Sequence, residues 1–296
     1  MMAAALVLSL SQSAWAAEDA VLDAQMGALA SEHQGKVALY ATDVRSGKTA
    51  SIDADRPVPT ASVIKLAVLF EALKQIQSGR VHFEDKLTLL KDDQVEGSGV
   101  FALFDTPLAL TLKDALTMMV VVSDNSGTNL AIDHLGLENI DKRIQWMGLH
   151  DTWLYKKVFK PVVGVPPADQ KQFGLGKTTA REMAAIMQRF ATCDLNEAAS
   201  NAKPSPSDQK LCDDALGMLK SQTDRDSIPR YLTDDVANKT GALDAVRNDV
   251  AIVFARNGPV IISEFTYDNK DQTWTPDNTA QLLMAKLAKA IVDRWQ

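Results

Sequence analysis

The sequence predicts an α/β protein of the α+β type, in which an antiparallel sheet built from both chain ends is flanked by helices and joined to an all-helical insert. Near the N-terminus, strand-like segments 36–44 and 49–53 enclose a short polar turn, which indicates a hairpin. Near the C-terminus, segments 249–256 and 259–266 flank Asn257-Gly258, a strong two-residue hairpin signal. Because helical patterns fill the chain between these hairpins, one sheet built from both termini is the simplest arrangement.

The most informative helix is predicted over 62–77. Its apolar residues cover nearly the whole circumference, and a helix that is apolar all round is buried. Thr60 is the expected N-cap, and Gly79 ends the helix. Further helices are predicted at 18–33, 112–122, 126–134, 179–190 and 278–295.

These elements predict a division of the chain into three parts. Residues 18–60 and 221–296 form an α/β sheet domain, residues 61–220 form an all-helical domain, and the active site lies between them. Segment 151–177 contains three prolines and three glycines and has no regular period. A loop this long within a compact domain is often functional.

Residues 1–17 are predicted to be a signal peptide. An almost wholly apolar stretch is followed by Ala14-Trp15-Ala16, which matches the small-residue cleavage pattern of exported proteins. No Lys or Arg precedes the apolar stretch, so a start placed too late or a buried N-terminal helix are the alternatives. The signal peptide predicts a periplasmic or secreted protein with no stable membrane insertion.

Composition and motifs exclude several kinds of function. The formal net charge of -7 argues against a nucleic-acid partner. The four histidines form no H-x-x-x-H or H-x-H pair, so no metal site is expected. The chain contains no G-x-S-x-G nucleophile elbow, and the glycine that a phosphate-binding loop requires is replaced by Lys171. No cofactor is expected, and we expect a monomer.

Two cysteines, Cys193 and Cys212, flank a polar loop that contains two prolines. An even number of cysteines in an exported chain favours a disulfide. The alternative is a pair of unrelated buried thiols, since sequence spacing does not give the Cα separation.

The residues that remain as chemical candidates are a serine and a lysine on the buried helix. Ser62 and Lys65 are three residues apart, so their side chains are neighbours on one helix face. Lysine can activate a serine hydroxyl when burial or nearby positive charge lowers its pKa. The alternative is a helix-capping serine with a snorkelling lysine. Two further S-x-x-K matches, at 200–203 and 207–210, lie in a polar segment and are interpreted as chance.

Two more triplets accompany this pair, namely Ser123-Asp124-Asn125 between two helical patterns and Lys239-Thr240-Gly241 before a strand. Together with S-x-x-K, in this order, they resemble class A β-lactamases and penicillin-binding proteins. Segment 96–100 (EGSGV) looks like the loop bordering the substrate cleft in class A enzymes, and 177–184 (KTTAREMA) looks like the segment after their Ω-loop. The resemblance covers essentially the whole chain after the signal peptide.

The resemblance implies a role for each catalytic candidate. Ser62 is the nucleophile, and Lys65 helps to activate it. Ser123 passes a proton to the departing β-lactam nitrogen, while Lys239 faces the substrate carboxylate. Backbone N–H groups of Ser62 and Ala242 form the oxyanion hole.

The resemblance also implies a set of substrate-binding residues. Asn125 binds the side-chain amide of the substrate, Thr240 faces its carboxylate, and Arg247 or Arg225 supplies another cation to that carboxylate. The substrate-binding candidates are Asn125, Thr240, Gly241, Ala242, Glu96 and Arg247.

The chain departs from the family pattern at one important point. Class A enzymes carry E-x-x-L-N in the Ω-loop, and its glutamate directs the water that deacylates the serine. Segment 151–177 contains no glutamate, and its only acids are Asp151 and Asp169. Glu182 lies beyond the loop on a predicted helix. We expect Asp169 to be a solvated loop residue and Asp124 to brace its loop.

The function predicted from these residues is a serine hydrolase that forms an acyl-enzyme on Ser62 and opens the β-lactam amide bond, with slow deacylation. The alternatives are a penicillin-binding peptidase or an esterase that uses the same site, and a β-lactam sensor that stays acylated. All of these act on a small-molecule β-lactam or acyl-ester substrate.

Overall fold

The computed structural model describes residues 19–196 and 203–296, so the predicted signal peptide at 1–17 lies outside the described residues. Its centre is a five-stranded antiparallel sheet with the strand order β2–β1–β10–β9–β8. These strands are β1 (Lys36–Asp43), β2 (Thr49–Ile52), β8 (Val236–Leu243), β9 (Val246–Ala255) and β10 (Gly258–Tyr267).

The sheet joins the two ends of the chain. Lys36 at the start of β1 pairs with Tyr267 at the end of β10, so the first and last strands of the sequence are neighbours. The predicted hairpin between β9 and β10 is present, but its two turn residues are Arg256 and Asn257, one position before the predicted Asn257-Gly258, because Gly258 already pairs with Ala255 as the first residue of β10. The predicted antiparallel sheet built from both chain ends is therefore confirmed.

The two faces of the sheet pack against different helices. Successive side chains of a strand point to opposite faces, and on β10 Ile262 belongs to one apolar core while Ile261 belongs to the other. The terminal helices, α1 (Ala20–Ser31) and α9 (Thr279–Trp295), cover the Ile262 face. Each fully buried aliphatic side chain contributes about 1.5–3 kcal/mol to folding.

The insert between the two parts of the sheet is mainly helical. Its helices are α2 (Lys65–Gln77), α3 (Leu112–Val121), α4 (Asn125–Leu135), α5 (Leu137–Trp146), α6 (Gln170–Phe173), α7 (Ala180–Thr192) and α8 (Pro206–Lys220).

The insert differs from the predicted all-helical domain because it also contains short strands. They are β4 (Lys86–Leu89) with β5 (Leu108–Thr111), and β6 (Trp153–Leu154) with β7 (Gly176–Thr178), the latter pairing also with β3 (Val58–Pro59). Strands of two to four residues carry too few positions to show a period in the sequence. The predicted domain boundaries themselves stay a prediction.

The start of the buried helix also differs from the prediction. The 3-10 helix Ala61–Ile64 precedes α2, so Ser62 lies in a tighter turn and α2 begins at Lys65. Thr60 makes no side-chain capping hydrogen bond. The prediction that this helix is buried is confirmed, since Leu66 and Phe70 are fully buried.

Cys193 and Cys212 form a disulfide, with a Cα–Cα separation of 5.6 Å. The bond connects the end of α7 to α8. Disulfides persist in oxidising compartments, and the prediction of a bridge is confirmed.

Of the helices within 19–196 and 203–296, none combines the length and the apolar character needed to cross a bilayer.

Two buried carboxyl groups lie in the sheet on the face towards α9. Glu264 on β10 is opposite Asp249 on β9, and both are fully buried. Burial raises the pKa of Asp249 to about 7, and burial together with Asp249 raises the pKa of Glu264 well above its ordinary value. Neither carboxylate oxygen of Glu264 has a hydrogen-bond partner within the described part of the chain.

We expect this pair to make the stability of the protein fall as pH rises. The folded state keeps protons that the unfolded chain releases above about pH 4, so stability is lost between there and the folded pKa values near and above 7. Glu264→Gln should therefore flatten the decline of the melting temperature between about pH 5 and pH 8. Glu84→Gln, at an exposed position, is the control, and equal slopes in both variants would contradict the expectation.

Candidate active site

The predicted nucleophile lies where the sheet meets the helical insert. Ser62 is partly exposed in the 3-10 helix and directly follows Ala61, whose φ of 43° is unusual for a residue with a side chain. Such backbone conformations are retained mainly at functional sites, where the surrounding structure enforces them.

Strand β8 presses directly against this turn. A Cβ atom added to Gly241 would lie 2.8 Å from the backbone nitrogen of Ser62 and 3.0 Å from that of Val63. Only glycine permits this approach, so the third residue of the K-T-G triplet brings the edge strand of the sheet to the N–H group of the nucleophile. This is the N–H that the family resemblance assigns to the oxyanion hole.

Lys65 is fully buried at the start of α2. Its Nζ donates hydrogen bonds to the Ser123 carbonyl (2.7 Å), to Ser123 Oγ (3.1 Å) and to Asn125 Oδ1 (3.0 Å). Burial, followed by the positive charge of Lys239, lowers the pKa of Lys65 well below its ordinary value. A lysine in this environment loses its proton readily and can act as a base.

Ser123 connects the two buried lysines. Its Oγ accepts a hydrogen bond from Lys65 and another, 3.0 Å long, from Lys239 Nζ. Ser123 has a φ of 57°, a second strained position in the site. Burial lowers the pKa of Lys239 to about 8, so this lysine remains largely protonated at neutral pH.

Asn125 links the helical insert to the loop at the rim of the cleft. Its side chain accepts from Lys65 and donates from Nδ2 to the backbone carbonyl of Glu96 (3.0 Å). The Glu96 side chain itself is exposed, so this residue reaches the site through its backbone.

Asp124 holds the same loop in place. One of its carboxylate oxygens accepts from the backbone N–H of Val100 and Phe101, and the other accepts from Gly127 in the first turn of α4. The expectation that Asp124 braces the loop is confirmed.

The remaining candidates line a cavity of about 280 Å³ beside β8. Thr240, Gly241, Ala242 and Arg247 all contribute to its wall. Two of these residues connect the cavity to the candidate catalytic groups. Gly241 lies against the backbone of Ser62, and the carbonyl of Thr240 accepts a hydrogen bond from Lys239 Nζ.

The two candidate arginines are already held by backbone carbonyls. Arg247 is 4% exposed, donates to the carbonyls of Val246 and Thr273, and stacks its guanidinium 4.5 Å from the ring centroid of Trp274. Arg225 donates to the carbonyl of Val236. Arg247 lines the cavity, whereas Arg225 is not among its lining residues.

Segment 151–177 is more ordered than its sequence predicted, because β6, α6 and β7 lie within it. At its start, the Glu182 carboxylate accepts hydrogen bonds from Asp151 N (3.0 Å) and from Thr152 Oγ1 (2.6 Å). Glu182 therefore anchors one end of the segment from α7.

Asp169 lies partly exposed in the turn before α6, as expected for a solvated loop residue, and it is also held by two neighbouring side chains. It accepts from Tyr155 Oη (2.9 Å) and from Lys177 Nζ (3.0 Å). Burial acts to raise the pKa of Asp169, but these two hydrogen bonds outweigh it and leave the pKa below its ordinary value. An ion-paired carboxylate is a poor proton acceptor.

We expect Asp169→Asn to leave the turnover of any hydrolysed substrate within about threefold of the wild-type rate, because a base engaged by a lysine contributes little. Steady-state rates at several pH values would measure this. Lys177→Met removes the same ion pair and is the matched control. A collapse of the rate in Asp169→Asn alone would identify Asp169 as the missing base.

Two hydrogen bonds from Asn129, here called the Asn129 clamp, join α4 to segment 151–177 and were not predicted from the sequence. Asn129 donates from Nδ2 to the Val158 carbonyl (3.0 Å) and accepts at Oδ1 from the Val158 N–H (2.8 Å). Asn129 lies four residues after Asn125, so both side chains lie on one face of α4. Val158 is 8% exposed but belongs to neither apolar core. The segment thus places a valine on the helix face that carries a hydrogen-bond partner of Lys65.

The described residues contain no group of three or more His, Cys, Asp or Glu side chains that could hold a metal ion.

This fold and this arrangement of residues define a serine β-lactamase-like hydrolase. The model of the beta-lactamase enzyme family matches residues 21–295, and the chain belongs to that family.

Curated relatives support the same assignment. The chain is 25% identical to a beta-lactamase of Bacillus licheniformis over 272 residues, which cover 89% of this chain and 80% of the relative. It is 23% identical to an imipenem-hydrolyzing beta-lactamase of Enterobacter cloacae over 270 residues, covering 90% and 86% of the two chains.

Solved structures share the fold. A beta-lactamase from Sphaerobacter thermophilus superposes with a TM-score of 0.79 at 24% identity, covering 93% of this chain and 97% of the other. PBP-A superposes with a TM-score of 0.77 at 21% identity, covering 95% and 97%. A leucine-to-glutamate mutant of PBP-A, in an acyl-enzyme complex with penicillin G, superposes with a TM-score of 0.76 at 22% identity, covering 93% and 96%.

Proposed function

We propose that this hydrolase opens the β-lactam amide bond through an acyl-enzyme on Ser62 and deacylates slowly. The observation that carries the proposal is the buried Lys65, held by Ser123 and Asn125 at the start of the helix that follows Ser62. The proposed site of action is the periplasm or the outside of the cell, and the disulfide supports an oxidising compartment.

In the acylation step, neutral Lys65 accepts the proton of the Ser62 hydroxyl as Oγ attacks the β-lactam carbonyl carbon. The carbonyl π electrons move to oxygen and form a tetrahedral oxyanion. The N–H groups of Ser62 and Ala242 stabilise this charge, because Gly241 allows β8 to approach the nucleophile turn.

The intermediate then collapses with cleavage of the C–N bond. The departing nitrogen takes the hydroxyl proton of Ser123, and protonated Lys65 returns a proton to Ser123 through the hydrogen bond between them. The product is a serine ester, with Lys65 neutral again. Lys239, which also donates to Ser123 Oγ, keeps this hydroxyl oriented and carries the charge that attracts the substrate carboxylate.

Deacylation requires a base that activates water, and segment 151–177 supplies no glutamate for this task. Val158 is held against α4 on the face that carries Asn125, and its side chain cannot accept a proton. We therefore expect deacylation of the serine ester to be much slower than its formation. This observation favours a penicillin-binding peptidase as the second candidate function.

The direct test is the intact mass of the protein over time after addition of a penicillin or, separately, a cephalosporin. An adduct that forms and then decays supports hydrolysis by way of an acyl-enzyme. An adduct that persists would replace hydrolysis with a penicillin-binding or sensor role. No adduct with either compound would overturn the β-lactam proposal and direct the search to ester substrates.

The two lysines predict how the acylation rate depends on pH. Lys65 acts as a base only when it is neutral, whereas Lys239 attracts the substrate carboxylate only when it is protonated. The second-order acylation rate should therefore fall above about pH 8, where Lys239 loses its proton. A β-lactam whose carboxylate is esterified is the matched control and should lose this alkaline decline. An equal decline for both compounds would contradict the role of Lys239.

A further inference from the structure

A strained aromatic residue, Phe159, lies beside Gly97 and close to Asn125. Phe159 has a φ of 54°, which a bulky side chain rarely adopts, and its side chain is 58% exposed. An exposed ring gains little from burial, so packing does not account for the conformation. Strained residues of this kind cluster at functional sites.

The residue before Phe159 is held at both of its backbone polar groups. The Asn129 side chain hydrogen-bonds the N–H and the carbonyl of Val158, which fixes the chain against α4 immediately before Phe159. One residue after Phe159, Lys160 Nζ donates to the backbone carbonyl of Asp92 (2.9 Å). Hydrogen bonds therefore flank the strained residue on both sides.

The ring is directed towards the substrate-binding candidates. A Cβ atom added to Gly97 would lie 3.1 Å from Phe159 Cε2 and 2.8 Å from Asn125 Nδ2, so the ring edge and this amide converge on the same small space. Gly97 leaves that space open, with a φ of 86°. Asn125 is also the residue that hydrogen-bonds Lys65, which connects the ring to the catalytic centre through one side chain.

We propose that Phe159 is a specificity-determining residue, whose ring forms an apolar wall beside Asn125 and selects acyl donors with an aromatic side chain. This inference rests on the proposed acylation of Ser62 by β-lactams. An aromatic group next to the substrate amide would lie against the ring while the amide meets Asn125. Aromatic pairs of this kind prefer stacked or edge-to-face contact.

The test compares penicillin G, which has an aromatic acyl side chain, with 6-aminopenicillanic acid, which has none. Acylation rates are measured by intact mass for the wild type, Phe159→Ala, Phe159→Gly and Phe159→Tyr. The preference for penicillin G should fall about 10-fold in the Ala and Gly variants and survive in the Tyr variant. Because glycine adopts a φ of 54° without strain, equal losses in Ala and Gly assign the effect to the ring and not to the backbone.

Val163→Ala is the matched control, since Val163 lies on the same segment with 93% of its side chain exposed. The Val163→Ala variant should prefer penicillin G over 6-aminopenicillanic acid as strongly as the wild type does. A preference unchanged within twofold in Phe159→Ala and Phe159→Gly, with labelling intact, would overturn the inference and leave the acylation proposal standing. Absence of any adduct in the wild type would instead mean that the proposed function has failed.

Discussion

Ser62→Ala is expected to abolish covalent labelling by every β-lactam that labels the wild type. No adduct should form because the proposed acylation requires the Ser62 hydroxyl as nucleophile, with the neighbouring Lys65 oriented by its hydrogen bonds to Ser123 and Asn125. Intact mass after incubation with penicillin G measures the result directly. The loss should be complete and not partial, since a covalent bond cannot form without its nucleophile.

The chain contains its own control for this experiment. Ser207 and Lys210 repeat the S-x-x-K spacing, but the structure places them, exposed, in the first turns of α8 and not in the polar loop expected from the sequence. Ser207→Ala should label at the wild-type rate. Labelling that persists in Ser62→Ala, or disappears in Ser207→Ala, would show that the nucleophile has been assigned wrongly.

The second large effect is expected from Val158→Glu, which should shorten the lifetime of the acyl-enzyme about 100-fold or more, as a positioned general base typically does. The Asn129 clamp fixes the backbone of this residue on the α4 face that carries Asn125, so a carboxylate introduced here would lie near the Lys65 side of the site. The decay of the penicillin G adduct, followed by mass, measures the change.

Two control variants test whether a faster decay in Val158→Glu comes from a carboxylate that accepts a proton at this position. Val158→Gln has nearly the same shape as the Glu variant but accepts no proton, so its adduct should persist as in the wild type. Val163→Glu adds the same charge to the same segment at an exposed position and should also have no effect. An unchanged adduct lifetime in a folded, labelled Val158→Glu protein would show that a side chain at position 158 does not reach the water that deacylates Ser62.

The sequence predicted the parts of this protein that depend on local pattern. Strands with alternating or continuous apolar residues, the hairpin that they form near Asn257 and the buried helix after Ser62 all appear near their predicted bounds. The three motif triplets also identified the residues that the fold brings together at one site. These signals are short in range, so a single chain is sufficient to reveal them.

The predictions were less accurate where structure depends on contacts between distant segments. The 3-10 turn at Ser62 is set by the approach of β8, which is separated from it by most of the insert. The short strands of segment 151–177 form only by pairing with one another and with β3. Neither has a periodic pattern long enough to be recognised.

The sequence by itself indicated Ser62 as the candidate nucleophile, Lys65 as its neighbour and the strand that faces them, because the motif spacings can be read directly from the chain. Only the tertiary structure showed the burial that lowers the pKa of Lys65 and the position of Val158. A pKa depends on burial and on neighbouring charges such as Lys239, which is 174 positions away along the chain. The Asn129 clamp likewise joins two segments whose proximity no local pattern encodes.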